Sequence, residues 1–190
     1  MIILLCFIFK IEKTNKFQIF GLILSVLGIL SIITKLDLSI LFSLDFNKGD
    51  LVMIGGVVTW GLYSSFLKKK NFDLPLLTLV QILCTFGLIF ILPQFFYELT
   101  QGQIIKFDIN LAYILIFLAL FPSIGSYYCW AGAVSIIGAN RAGIFLSLIP
   151  LFSTIMAILF FNEKFQFFHL IGAILIILGL FLSNKEIKNA

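Results

Sequence analysis

The sequence predicts an all-α integral membrane protein, a multi-pass helical bundle built on an inverted-topology repeat. Three observations predict it. Hydrophobic residues make up 61% of the 190 positions and charged ones only 12%, with a mean hydropathy of +1.15. A soluble domain is roughly half apolar, so the main solvent of this chain must be lipid. The apolar residues gather into six runs long enough to cross a bilayer, separated by short gaps of which all but one bear lysine. Finally, the phrase EKTNKFQIFGLILSVLG, Glu12 to Gly28, returns in altered form as EKFQFFHLIGAILIILG, Glu163 to Gly179.

The elements follow in order. The start, MIILLCFIF, has nine apolar residues and no basic leader. It is too short to span and does not read as a signal peptide; it reads as the tail of a helix. Spans are expected at 17–34, 50–67, 76–97, 111–135, 139–161 and 167–183. Helices rising about 1.5 Å per residue cross a core of about 30 Å in roughly 20 residues. A barrel would alternate polar and apolar residues over short strands, and these runs do not. The cysteines Cys6, Cys84 and Cys129 lie in apolar runs, odd in number and without CxxC spacing. They are expected to be buried small hydrophobes.

The gaps set an orientation. With alternating spans, Lys10, Lys13, Lys16, Lys68, Lys69, Lys70, Arg141, Lys185 and Lys188 fall on one side. The other side receives Lys35, Lys48, Lys106 and Lys164. Basic residues favour the cytoplasm, so both termini are expected there, with the chain in the cytoplasmic membrane. This distribution also excludes a nucleic-acid patch.

The repeated phrase has a constant offset of 151 residues, from Glu12 to Glu163 and from Gly28 to Gly179. Glu, Lys, Phe, Gly, Ile, Leu, Leu and Gly recur at matching positions. Five spans separate the two copies, an odd number, so the second copy must lie upside down relative to the first. Gly21, Gly28, Gly172 and Gly179 are expected to pack helices closely. Counting back by the offset leaves most of a first repeat unaccounted for, which leads to the expectation of an N-terminally truncated chain. The expected domains are 1–34, the remnant of a first repeat; 35–184, a complete five-helix repeat; and 185–190, a cytoplasmic tail.

The stretches GDLVMIGGVVTWGLYSSFLKK, LFPSIGSYYCWAGAVSIIGANRAGIFLSLIPLFSTIMAILFFNEKF and LIGAILIILGLFL resemble the EamA-like domain of the drug/metabolite transporter superfamily. The Gly-Asp opening before Trp60, the turn from Gly138 to Gly143, Leu148-Ile149-Pro150 and the Asn162-Glu163-Lys164 exit carry the resemblance. It implies ten helices in two inverted five-helix repeats, moving small organic solutes.

In such an architecture the solute meets the protein near the midplane, between repeats. Trp60, Tyr63 and Ser64 share a face of the second span, and Ser123, Ser126, Tyr127 and Trp130 share one on the fourth. Thr78, Gln81 and Thr85 line a side of the third; Ser147 and Thr154 flank Pro150 on the fifth. Trp60, Tyr63, Ser64, Gln81, Ser126, Tyr127, Trp130 and Ser147 are the candidate cavity residues. Their hydroxyls, amide and rings suit a neutral or amphiphilic solute. Pro122 and Pro150 are candidate hinges, beside the packing glycines Gly172 and Gly179. Glu163 is read as a loop anchor and His169 as an interfacial residue. No carboxylate lies at mid-membrane to relay protons. No HExxH, GxSxG or metal-ligand spacing occurs, so no catalytic residue, metal or cofactor is expected and the chain is not read as an enzyme.

The expected partners are the lipid bilayer, a small-molecule solute and, for the missing repeat, a second copy or partner chain; no nucleic acid is expected. Two functions remain open: a transporter of small organic metabolites, or a large piece of one; and a non-transporting half-unit that assembles with a partner helix bundle. Richness in Phe, Ile, Lys and Asn with little Arg points to an AT-rich bacterial genome.

Overall fold

The computed structural model describes residues 1–190 except 38, 44, 46, 70–73, 103–106 and 186–190. The topology signals Lys70, Lys106 and Lys188, and most of the 185–190 tail, lie outside the described residues. Those described form helices joined by turns, with no strand among them.

The helices are α1 (Ile2–Ile8), α2 (Lys16–Ile33), α3 (Ser39–Phe42), α4 (Lys48–Lys69), α5 (Leu76–Thr100), α6 (Ile109–Leu118), α7 (Ser126–Ile137), α8 (Ala139–Phe145), α9 (Leu148–Phe161) and α10 (Phe167–Ser183). A π-helical stretch, Ala119–Gly125, joins α6 to α7. Five of the resulting segments are long and apolar enough to cross a membrane: Lys16–Ile33, Lys48–Lys69, Leu76–Thr100, Ile109–Ile137 and Ala139–Phe161. The sixth expected span, α10, is equally apolar but has 17 residues. That is at the short end of what crosses a bilayer.

Side chains start the helices where the sequence changes from polar to apolar. Asn15 accepts a hydrogen bond from Phe17 N–H at 3.0 Å, and Gln18 Oε1 accepts the Asn15 N–H at 3.1 Å. The same reciprocal bond recurs at the 151-residue offset: Gln166 N–H donates to His169 Nδ1 at 3.1 Å. His169 is therefore a buried helix-capping residue. Asn47 and Asp50 cap α4 around the Gly-Asp opening, and Asp108 Oδ1 caps α6 through Leu111 N–H at 2.7 Å.

Two compact units make up the chain: Met1–Lys70 with Ile137–Ala190, and Asn71–Ile136. In the first, α2 and α10 form the principal helix pair. Gly21 stands against Gly179 and Gly28 against Gly172, so the helices run antiparallel. A methyl built on Gly28 would lie 2.7 Å from the Gly172 carbonyl oxygen, and one on Gly172 would lie 2.8 Å from that of Gly28. At the repeat offset Gly21 corresponds to Gly172 and Gly28 to Gly179. The two contacts thus exchange under a local two-fold, the geometry of an isologous interface. The short α1 lies against α4 and α8: Leu5 and Met1 fill the space over Gly61, and Ile2 sits over Gly143. Cys6 Sγ donates to Ser65 Oγ at 3.3 Å. Cys6 is buried as expected, but Cys84 and Cys129 are exposed. The expectation of three buried cysteines is corrected, because apolar sequence marks lipid-facing and core-facing positions alike.

The second unit contains α5, α6, the π stretch and α7. Pro93 stands inside α5, which continues past it. Pro122 stands inside the π stretch. Proline cannot donate and its ring crowds the carbonyl four residues back; a wider turn accommodates both effects. The Ser126 hydroxyl donates to the Phe121 carbonyl at 3.2 Å.

Candidate functional site

In the first unit the interruption between α8 and α9 is the central feature. Pro150 has no N–H to offer the Leu146 carbonyl. The chain tightens there instead: Leu146, Ser147 and Ile149 donate to Gly143, Ile144 and Leu146 carbonyls at 3.3, 3.0 and 3.1 Å. Beside the break lies a cavity of about 170 Å³, lined by Ile2, Leu22, Val57, Trp60, Gly143 and Leu146 among others. The Trp60 ring stands 5.5 Å from the Tyr63 ring, tilted by 49°. Ser64 is fully buried and donates to the Trp60 carbonyl at 2.9 Å. Ser147, in the break, is buried and donates to the Ile144 carbonyl at 2.7 Å. Trp60 therefore lines this cavity, while the Ser64 and Ser147 protons are held within their own segments. Among the described lining residues the side chains are aromatic and aliphatic, a surface that can hold an apolar or aromatic portion of a solute.

The second unit carries a groove of about 390 Å³, lined by Leu77, Val80, Gln81, Cys84, Thr85 and Ile124 among others. Gln81 is exposed, and its carbonyl accepts the Thr85 hydroxyl at 2.8 Å. Ile124 belongs to the π stretch, so Pro122 shapes one wall. Tyr127 and Trp130 are half-buried on α7, and Ser126 is exposed at its start. Trp60, Tyr63, Ser64 and Ser147 thus belong to one unit, and Gln81, Ser126, Tyr127 and Trp130 to the other. No group of His, Cys, Asp and Glu able to hold a metal occurs among the described residues.

Sequence reasoning assigned no role to Glu12. Its carboxylate accepts the backbone N–H of Ala139 at 3.0 Å and of Asn140 at 2.9 Å, capping α8 across more than a hundred residues of sequence. Such a charge-assisted pair meets the positive end of the helix. Gly138 permits it: its φ is +87°, and a methyl there would strike Glu12 Oε1. Asn140 Nδ2 also reaches Thr14 Oγ1 at 3.5 Å. The signal available was the recurrence of Glu at both copies of the phrase. Its partner lay too far along the chain to be read from spacing.

A profile of the EamA-like transporter family matches residues 47–185. The chain belongs to the EamA-like transporter family. Among curated proteins it is similar to the uncharacterized transporter YyaM of Bacillus subtilis (strain 168), 25% identical over 177 residues, covering 93% of this chain and 58% of the relative. An uncharacterized transporter of Archaeoglobus fulgidus is 28% identical over 176 residues, covering 92% and 60%. YetK of Bacillus subtilis, also an uncharacterized transporter, is 27% identical over 185 residues, covering 95% and 54%. The chain thus spans somewhat over half the length of these relatives. No solved structure matches it significantly. The family, with five membrane-length apolar helices among the described residues, makes this a multi-pass membrane protein of the EamA-like family.

Proposed function

We propose that the chain is a carrier, or a large part of one, for small organic metabolites without fixed charge, in the cytoplasmic membrane with both termini cytoplasmic. The observation that carries this is the broken α8–α9 segment beside a cavity walled by Trp60. Interrupted helices at mid-membrane are where secondary transporters bind their cargo. The aromatic and aliphatic side chains of the described lining favour neutral or amphiphilic solutes over ions. Tyr63 and Ser147 are proposed as further solute-contacting residues in the first unit, and Gln81, Ser126, Tyr127 and Trp130 in the second, with Pro122 and Pro150 as hinges.

The test is flux in proteoliposomes carrying the chain, loaded with a panel of neutral and amphiphilic metabolites. Efflux above empty vesicles is expected, at least fivefold lower for Trp60→Ala at equal insertion. Absence of flux across the panel overturns the carrier reading. A second reading, a half-unit that assembles with a partner helix bundle, is favoured by α9, none of whose residues is buried.

A further inference from the structure

Where α2 begins and α10 finishes, two positive charges gather on one ring. Lys16 Nζ stands 5.9 Å from the centroid of the Phe17 ring, and Lys185 Nζ stands 5.5 Å from the same centroid. The glycine seam brings them together: at Gly21 the room for a side chain is taken by the Gly179 carbonyl and by Ser183, two residues before Lys185. Two ammonium groups so placed repel each other, and one ring face offsets only a little of that. Both lysines are exposed, as is Lys13 ahead of them. Among the described residues no carboxylate forms an ion pair with either ammonium. Around these helix ends the sequence places Lys10, Lys13, Lys16, Lys185 and Lys188 against Glu12 and Glu186. The Glu12 carboxylate is already committed to the Ala139 and Asn140 N–H groups. Glu186 lies outside the described residues. One turn further into each helix stand Phe20 and Phe181, 58% and 81% exposed.

We propose that this end of the seam binds the phosphate of an anionic phospholipid, held by Lys16 and Lys185, with the acyl chains along Phe20 and Phe181. The charge is complementary: a phosphate reached by both ammonium groups screens their repulsion and gains charge-assisted hydrogen bonds. The depth fits as well. Lysines at helix ends reach the headgroup level on flexible stems, while rings one turn inward meet hydrocarbon. With 17 residues, α10 is at the short end of what crosses a bilayer, so Lys185 is drawn to that level. A free phosphate shares the headgroup's chemistry but gains nothing from Phe20 and Phe181, which favours the lipid. A lipid held there ties α2 to α10 from outside the seam. None of these residues lines the cavity beside Trp60, so the site does not depend on the carrier reading.

The experiment delipidates the intact chain in mild detergent and follows lipid binding by native mass spectrometry, titrating phosphatidylglycerol against phosphatidylcholine. Phosphatidylglycerol is expected to bind about tenfold more tightly, as two lysines at a lipid surface should give. Lys16→Gln combined with Lys185→Gln should erase that preference, and Lys16→Arg combined with Lys185→Arg should retain it. Lys48→Gln combined with Lys164→Gln removes the same charge from other helix ends and should leave the preference intact. Melting temperatures without added lipid should match wild type in all three pairs, so that lost binding is not lost folding. Excess inorganic phosphate should not displace the lipid. Equal affinity for the two lipids would overturn the site. So would a preference that survives the glutamine pair at Lys16 and Lys185, or one that falls equally with the pair at Lys48 and Lys164. Displacement by inorganic phosphate would assign the lysines to a free anion and overturn the lipid reading.

Discussion

Glu12 shows how much one side chain holds in a membrane protein with few charges. It is part-buried and satisfies two backbone donors at the start of α8, which water would otherwise have to reach. Replacing it with alanine strands those donors. We expect Glu12→Ala to cost about 1–3 kcal/mol, read as a lower melting temperature in detergent. Glu12→Gln should recover part of the loss, since an amide oxygen can accept one of the two bonds. A melting temperature equal to wild type in both would remove the cap from the account of stability. The cysteines give a second residue-scale outcome. Cys6, 0% exposed where Cys84 and Cys129 are exposed, should react with N-ethylmaleimide only after the chain is denatured. These differences were not legible in the sequence, because hydropathy reports solvent preference and not which neighbour satisfies it.

The elements themselves were largely legible. Each expected span lies within a few residues of an observed helical segment, because the bilayer dictates both length and composition. The break before Pro150 depends on the Leu146 carbonyl four residues back, and the proline alone signalled it. Its exact form, a tightened turn at Leu146 and Ser147, required the structure. Pro150→Ala restores an N–H aimed at that carbonyl, and we expect α8 and α9 to join. Amide exchange around residues 146–150 should then slow at least tenfold; unchanged exchange would place the cause of the break elsewhere. The candidate cavity was legible only in part. Trp60 was picked out by its helical face and lines the cavity. Ile2 and Gly143 also line it, yet carry no polar mark that a sequence pattern could detect.

For the whole molecule, the antiparallel pair of α2 and α10 governs topology. The two helices begin at opposite ends of their shared seam, so Lys13 and Lys164 should face opposite sides of the membrane. A membrane-impermeant maleimide applied to Lys13→Cys and Lys164→Cys variants should label one from outside and the other only after permeabilisation. Labelling of both from one side would rule out an inverted repeat. The seam is also intolerant of bulk. We expect Gly28→Leu to destabilise the chain by at least about 3 kcal/mol, seen as loss of monodisperse protein in detergent, since Gly172 and Ile176 already occupy the space. That crowding has a genetic corollary. Every missense change in a glycine codon adds atoms, so Gly21, Gly28, Gly172 and Gly179 have no smaller residue to drift toward. A population carrying this gene should therefore accumulate silent substitutions at these four codons and almost nothing else.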